Sequence, residues 1–190
     1  MTTMVGAPVL AEVFVPGRAK TKGSMTARAG AQCRCCAACK GRIFTGAMSE
    51  GVAGSTQWRS LIRRSVEVMR LQYGLTGSYD GPVGVRMCAW LDPLGNVVAS
   101  HETAPIEARA GDGDKLDRNV LDALKDAGVY RDDNQVVRRL ADKVHALREP
   151  GCVGQGMLIQ VWAMPAWALR FQREEAARDL SRTLGLRYLG

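Results

Sequence analysis

The 190-residue sequence predicts an α+β domain, a mixed β-sheet with flanking helices. Three observations carry that reading. Short apolar runs rich in β-branched residues recur as strands, two stretches place apolar residues at spacings of three and four as amphipathic helices do, and 46% apolar with 24% charged residues is an ordinary globular composition. A chain of this length builds one domain, typically of ~100 to 150 residues, with room for an appendage.

Residues 8–15, Pro-Val-Leu-Ala-Glu-Val-Phe-Val, read as the first strand. Residues 16–54 mix Gly, Ser, Thr, Lys and Arg with a dense run of cysteines and read as an inserted long loop or hairpin. Ser55 is the expected N-cap of a helix whose apolar face is Trp58, Leu61, Ile62, Val66, Met69 and Tyr73, ending near Gly74. Arg59, Arg63, Arg64 and Arg70 occupy its other face, where charge is usually solvated. After a Gly-rich turn, 85–91 is a second strand and 92–111 a polar connection. Leu116, Val120, Leu121 and Leu124 mark a second helix, which Gly128 stops. Residues 136–146 and 157–164 form two more strands, and Pro165 opens an Arg-rich last helix over 166–184. Trp162 and Trp167 are expected in the core. The domain therefore spans 1–164, followed by a C-terminal basic amphipathic helix in 165–190.

The longest mostly apolar run, 157–169, is broken by Gln160 and Pro165, while a membrane span needs ~20 residues. No membrane association is expected, and without a basic, apolar leader the cytosol is the expected compartment. The formal net charge is +7 and the pI near 9.3, which favours polyanionic partners. All of the excess falls in residues 1–100, with 12 basic and 5 acidic residues. Residues 112–133 instead hold seven Asp (112, 114, 117, 122, 126, 132 and 133) against four basic residues. A basic body presenting a carboxylate cluster is what a metal-dependent enzyme acting on nucleic acid needs, because cations must bridge the carboxylates to phosphate. A solvated acidic helix is the alternative.

Asp112 and Asp114, at i and i+2 on an extended segment, point the same way and can share a hard cation. A strand-helix-strand path can return Asp132 and Asp133 beside them, which would complete a Mg²⁺ site. A calcium loop is excluded, because the EF-hand pattern needs Gly and Glu where this chain has Asp117 and Ala123. No G-x-x-x-x-G-K-[ST] occurs, so no nucleotide cofactor is expected, and His101 and His145 are too few for a His-based site.

The stretch from Asp112-Gly-Asp114-Lys115 through Arg118, Asp122-Ala-Leu and Ala127-Gly128-Val-Tyr to Asp132-Asp133-Asn-Gln135-Val136 resembles the signature of the RusA family of Holliday-junction resolvases. That signature is D-x-D-N-x-x-K, a D-A-L helix, A-G with an aromatic, then D-D-x-Q-[VI], and every gap agrees. The resemblance covers 112–146 and extends weakly to the first strand, to the Lys20-Thr-Lys22-Gly23-Ser24 loop and to the helix begun near Trp58. It implies a RusA-like resolvase fold with Asp112, Asp114 and Asp133 as Mg²⁺ ligands. Asp132, Asp122 and Gln135 match supporting positions. Two departures stand out: the family's Asn is Lys115 here, and its catalytic Lys is Arg118. Arg keeps a permanent charge and grips phosphate bidentately, so Arg118 is the expected stabiliser of transition-state charge, with Lys115 as another source of the cation.

The resemblance further implies a homodimeric hydrolase, often encoded by phage or prophage in a bacterial host, that binds four-way DNA junctions and nicks opposing strands in pairs. Two alternatives remain at this stage: a nuclease for other branched DNA such as forks or flaps, and a non-catalytic DNA-binding protein. Lys20, Lys22, Arg28, Lys40 and Arg42, in a glycine-bearing loop, are the expected backbone contacts to DNA. Cys33, Cys35, Cys36 and Cys39 fall within seven residues. They read as a structural Zn²⁺ knuckle, as a cluster completed by Cys88, Cys152 or a partner chain, or as free thiols. The last helix caps the fold, extends a dimer interface or adds DNA contacts; the sequence does not choose.

Overall fold

The structure, a computed structural model, describes residues 7–21, 25–29, 44–50, 53–93, 104–105, 113–146 and 154–184, with the backbone alone for 25–29, 44–50 and 180–184. In chain order the elements are β1 (Val9–Pro16), β2 (Met25–Ala29), β3 (Phe44–Glu50), α1 (Ser55–Gln72), β4 (Val83–Leu91), α2 (Gly113–Asp126), β5 (Val136–His145), β6 (Gly156–Ala163) and α3 (Ala166–Leu184). The α+β expectation holds. A mixed four-stranded sheet runs in the order β1-β6-β4-β5, and β2 pairs with β3 in a separate antiparallel ribbon. The 16–54 insertion is thus a hairpin, and its connection, 30–43, lies outside the described residues with all four clustered cysteines.

Among the described strands, β4 and β5 alone pair in parallel, in register from Val85 opposite Arg139 to Leu91 opposite His145. Parallel neighbours cannot be joined by a tight turn, so the chain must cross back over the sheet between them, and α2 is that crossover. Alternate residues of β4 (Val83, Val85, Met87, Ala89, Leu91) and of β6 (Met157, Ile159, Val161) face this side and are buried. Against them pack Trp58, Ile62 and Val66 of α1 and Leu116, Val120, Leu121, Ala123 and Leu124 of α2. Each such side chain contributes roughly 1.5–3 kcal/mol when fully buried. On the other face, Trp162 lies over Gly84, where a side chain would collide with the indole ring.

Both long helices on the core face end as the glycines foretell. Gly74 and Gly128 have left-handed φ of 64° and 68°. Leu75 N–H donates to Arg70 O at 2.8 Å and Val129 N–H to Leu124 O at 3.0 Å, the pattern of a Schellman stop.

Three expectations are corrected. Ser55 is not the N-cap; that position is Gly54, at φ 83°, and buried Ser55 is the first helical residue. Its hydroxyl instead meets Asn119 of α2, at 3.1 and 3.2 Å from the two amide atoms. Arg70 is not on a solvated face. It is buried and donates to Ala127 O at 2.7 Å and to Gly77 O, so it offsets the carbonyl end of α2, and burial lowers its pKa. Trp167 is half exposed rather than core, because α3 turns it outward and buries Ala168.

Asn119, fully buried, also donates to Lys20 O at 2.6 Å, so one amide ties the β1 exit, the start of α1 and α2 together. Asn119→Ala should lower stability by about 2–3 kcal/mol, because it strands a buried carbonyl and a buried hydroxyl. Urea denaturation reads this directly, with Ser55→Ala expected to cost less.

Candidate active site

Asp114 occupies the first turn of α2, exposed to solvent. One turn later Arg118 reaches back to it, 3.6 Å between guanidinium and carboxylate, with both side chains more than half exposed. A further turn on, Asp122 is 3.5 Å from Arg59 of α1, which also lies 3.8 Å from Asp126. Asp114, Arg118 and Asp122 therefore form a row along one face of α2, with the first and last about 12 Å apart along the axis at ~1.5 Å per residue. Arg59, expected on a solvated face, is a bridge between the helices.

The second acidic pair is held by Gln135. Its Oε1 accepts from the N–H groups of Arg131 (2.7 Å) and Asp132 (3.1 Å), and its Nε2 donates to Tyr79 O (3.0 Å) and Gly81 O (2.9 Å). With Asp132 it forms a capping box on the single 3-10 turn Asp133–Gln135. Arg131 secures the same turn through Asp80 at 2.7 Å. Asp132 is exposed and Asp133 half-buried. Tyr130 packs against α2: its buried hydroxyl donates to Leu121 O at 3.0 Å, and burial first, then the Asp133 and Asp122 carboxylates, keep it protonated.

The expected return of Asp132 and Asp133 beside Asp112 and Asp114 involves Asp112, which lies outside the described residues. The strands run parallel, so α2 starts at their C-terminal ends and the 133–135 turn precedes β5 at their N-terminal ends. Among the described residues no three carboxylate, cysteine or histidine side chains converge on one point. The donor chemistry still suits a hard cation, since Asp114 offers an open carboxylate at the helix start and the chain neighbour but one is Asp112. Asp112 itself lies outside the described residues, as do Lys22, Cys33, Cys35, Cys36, Cys39, Lys40, Arg42 and the side chain of Arg28. Lys20 is half-buried with its carbonyl held by Asn119, and Lys115 is half-buried in the first turn of α2.

The sequence reading missed three residues at this helix end. Asp117, one turn from Asp114 but turned toward the sheet, is 6% exposed. Arg139 of β5 sits 3.7 Å from it. Asp117 lines a cavity of about 110 Å³ together with Met87, Ala89, Gly113, Leu116, Ala141 and Lys143 among others. Burial raises the Asp117 pKa, against the pull of Arg139 and with a further push from Asp114. The sequence signal was faint: a carboxylate beside Leu116 in an amphipathic helix, and two cations four residues apart in a strand.

A carboxyl whose folded pKa is raised holds its proton more tightly folded than unfolded. The charged form of Asp117 therefore costs stability; the cost is absent below the ordinary Asp value of about 3.9 and grows as pH rises through the raised one. Asp117→Asn should match the wild type in acid and melt at a higher temperature near neutrality. Thermal melts from about pH 3 to about pH 8 test it, and an equal or lower melting temperature at neutral pH would contradict the sign.

The model of the endodeoxyribonuclease RusA family matches residues 53–153, just over half of the chain. No curated protein matches the sequence. The matched stretch holds both parallel strands, the whole crossover with its acidic row and the Gln135-braced turn. The chain belongs to the RusA family of endodeoxyribonucleases, nucleases that act on DNA.

Proposed function

We propose that this chain is a Mg²⁺-dependent, structure-specific endodeoxyribonuclease that resolves four-way junctions by paired nicks as a homodimer. The observation that carries the reading is the Asp114–Arg118–Asp122 row along α2, whose Asp114–Arg118 end is exposed, at the positions of the family signature within the matched segment. Asp112 and Asp114 would hold the cation, with Asp133 as the third ligand of the set. When bound, Mg²⁺ supplies a water of lowered pKa as the nucleophile for phosphodiester hydrolysis. A homodimer fits the reaction, because its two-fold axis would match two symmetric nicks.

Arg118 binds Asp114 in the structure and so keeps that carboxylate partly neutralised. A phosphate approaching Asp114 competes for the same guanidinium, and Arg118 then offsets charge growing on the non-bridging oxygens. Lys20, Lys22, Arg28, Lys40 and Arg42 would hold the flanking backbone without reading sequence. No helix among the described residues is long and apolar enough to cross a membrane. The bacterial cytoplasm, with a phage or prophage origin, is the setting the resemblance supplies.

The Arg118–Asp114 pair favours one second reading, in which the acidic end is quenched and the protein binds branched DNA without cutting it. Cleavage of a labelled four-way junction, beside a fork and a linear duplex, separates the two. Asp114→Asn should slow cleavage by about 100-fold or more, the scale of losing an electrostatic contact made in the transition state, without weakening junction binding. EDTA should stop the wild type. Full-speed cleavage by Asp114→Asn, or preference for linear duplex, would overturn the assignment; binding without cleavage would establish the second reading.

A further inference from the structure

Arg70, in the last turn of α1, carries a charge that is only 9% exposed. Two of its five N–H donors are engaged by carbonyls, Ala127 O at 2.7 Å and Gly77 O. Burial lowers its pKa, and among the described residues no carboxylate opposes that shift or pairs with the guanidinium. Charged side chains are almost never this buried without an opposite charge. Holding two carbonyls accounts for two donors and leaves three.

The same side chain lines a cavity of about 300 Å³ between the end of α1, the 74–79 turn and Val129. Leu10 and Leu75 form apolar wall, Thr76 and Ser78 bring hydroxyls, and no acidic residue lines it among the described residues. Gly128 shows how the donors converge. A side-chain carbon there would lie 3.5 Å from Arg70 Nη1 and 3.5 Å from Ser78 Oγ, so guanidinium and hydroxyl flank one spot. The left-handed φ of 68° that stops α2 favours glycine at this position, and the same choice keeps a methyl group out from between the two donors.

We propose that this cavity binds a phosphate group, whose oxygens Arg70 and Ser78 hold. The guanidinium presents a planar fork that can meet two oxygens, and the hydroxyl approaches from another residue, which suits a tetrahedral anion with oxygens in several directions. Two sources bring such a group to this chain: the backbone of a DNA strand, on which its family acts, and free inorganic phosphate. The site lies about 20 Å along α2 from Asp114 at ~1.5 Å per residue. It adjoins the Gln135-braced turn, since Tyr79, whose carbonyl accepts from Gln135, is part of the lining. A strand held there would be anchored away from the Asp114 end by a contact that does not read sequence.

The probe is inorganic phosphate, compared with chloride at equal ionic strength in EDTA, and the readout is the thermal melt of the whole chain. Wild type should melt about 3 °C higher once phosphate reaches several times its Kd, the scale of ligand linkage for a chain of this size. Arg70→Met should lose the rise. Because that variant also strands two carbonyls, Ser78→Glu is the second: it alters an exposed position, sets a carboxylate within reach of the guanidinium, and should gain nothing from phosphate. Junction affinity then separates the sources. A slope of log affinity against log salt that is shallower by about 1 in Ser78→Glu marks a DNA phosphate, and an unchanged slope marks a free one. No rise in the wild type, or an equal rise in Ser78→Glu, overturns the site. The melts need no cleavage, so their outcome is independent of the nuclease reading.

Discussion

The parallel pairing of β4 and β5 is the constraint from which the rest of this molecule follows. Two parallel neighbours oblige the intervening chain to return across the sheet, and α2 makes that return with Leu116, Val120, Ala123 and Leu124 buried beneath it. The direction of travel then sets the chemistry. The first turn of α2, with Asp114, lies at the C-terminal ends of the parallel strands, where open sheets usually hold their ligands. The 133–135 turn lies at the other end, immediately ahead of β5.

Around this crossover several polar groups are well satisfied, whereas His145 and Asp117 are buried less comfortably. Asn119 meets Ser55 and Lys20 O, Gln135 uses both its amide atoms on four backbone groups, and Arg70 donates to Ala127 O at the end of α2 and to Gly77 O in the turn after α1. These make the crossover rigid at both ends. Asp117 is different, since burial raises its pKa even with Arg139 beside it. A destabilising carboxylate in a cavity wall next to the acidic row is the pattern expected where a surface is shaped for binding and chemistry more than for stability.

The matched family segment, 53–153, supplies β4 and β5 but neither β1 nor β6, which complete the same sheet through Val9–Pro16 and Gly156–Ala163. The folding unit is wider than the match. Beyond it stand the β2–β3 ribbon and α3, the latter tied to β5 through Gln172 to Val137 O and Glu175 to Arg138. The basic residues of the first hundred positions are unevenly committed: Arg59 and Arg70 hold helices together, while Arg64 remains exposed.

By itself the sequence determined what is local. Periodicity of two and of 3.6 located β1, α1, β4, α2, β5, β6 and α3 to within three residues at each end, glycines stopped α1 and α2, and the spacing of Asp112, Asp114, Arg118, Asp133 and Gln135 identified the family. These features are short-range, so residue order alone carries them. Tertiary structure decided whatever depends on which elements become neighbours. It turned Ser55 from a cap into a partner of Asn119, 64 residues away, and Arg70 from a surface charge into a buried one. It brought Arg139 of β5 beside Asp117 and set Lys143 in the wall of the same cavity as Asp117. Hydrogen bonds and charges act over a few ångströms of space whatever the distance along the chain, and only the packed crossover sets those distances.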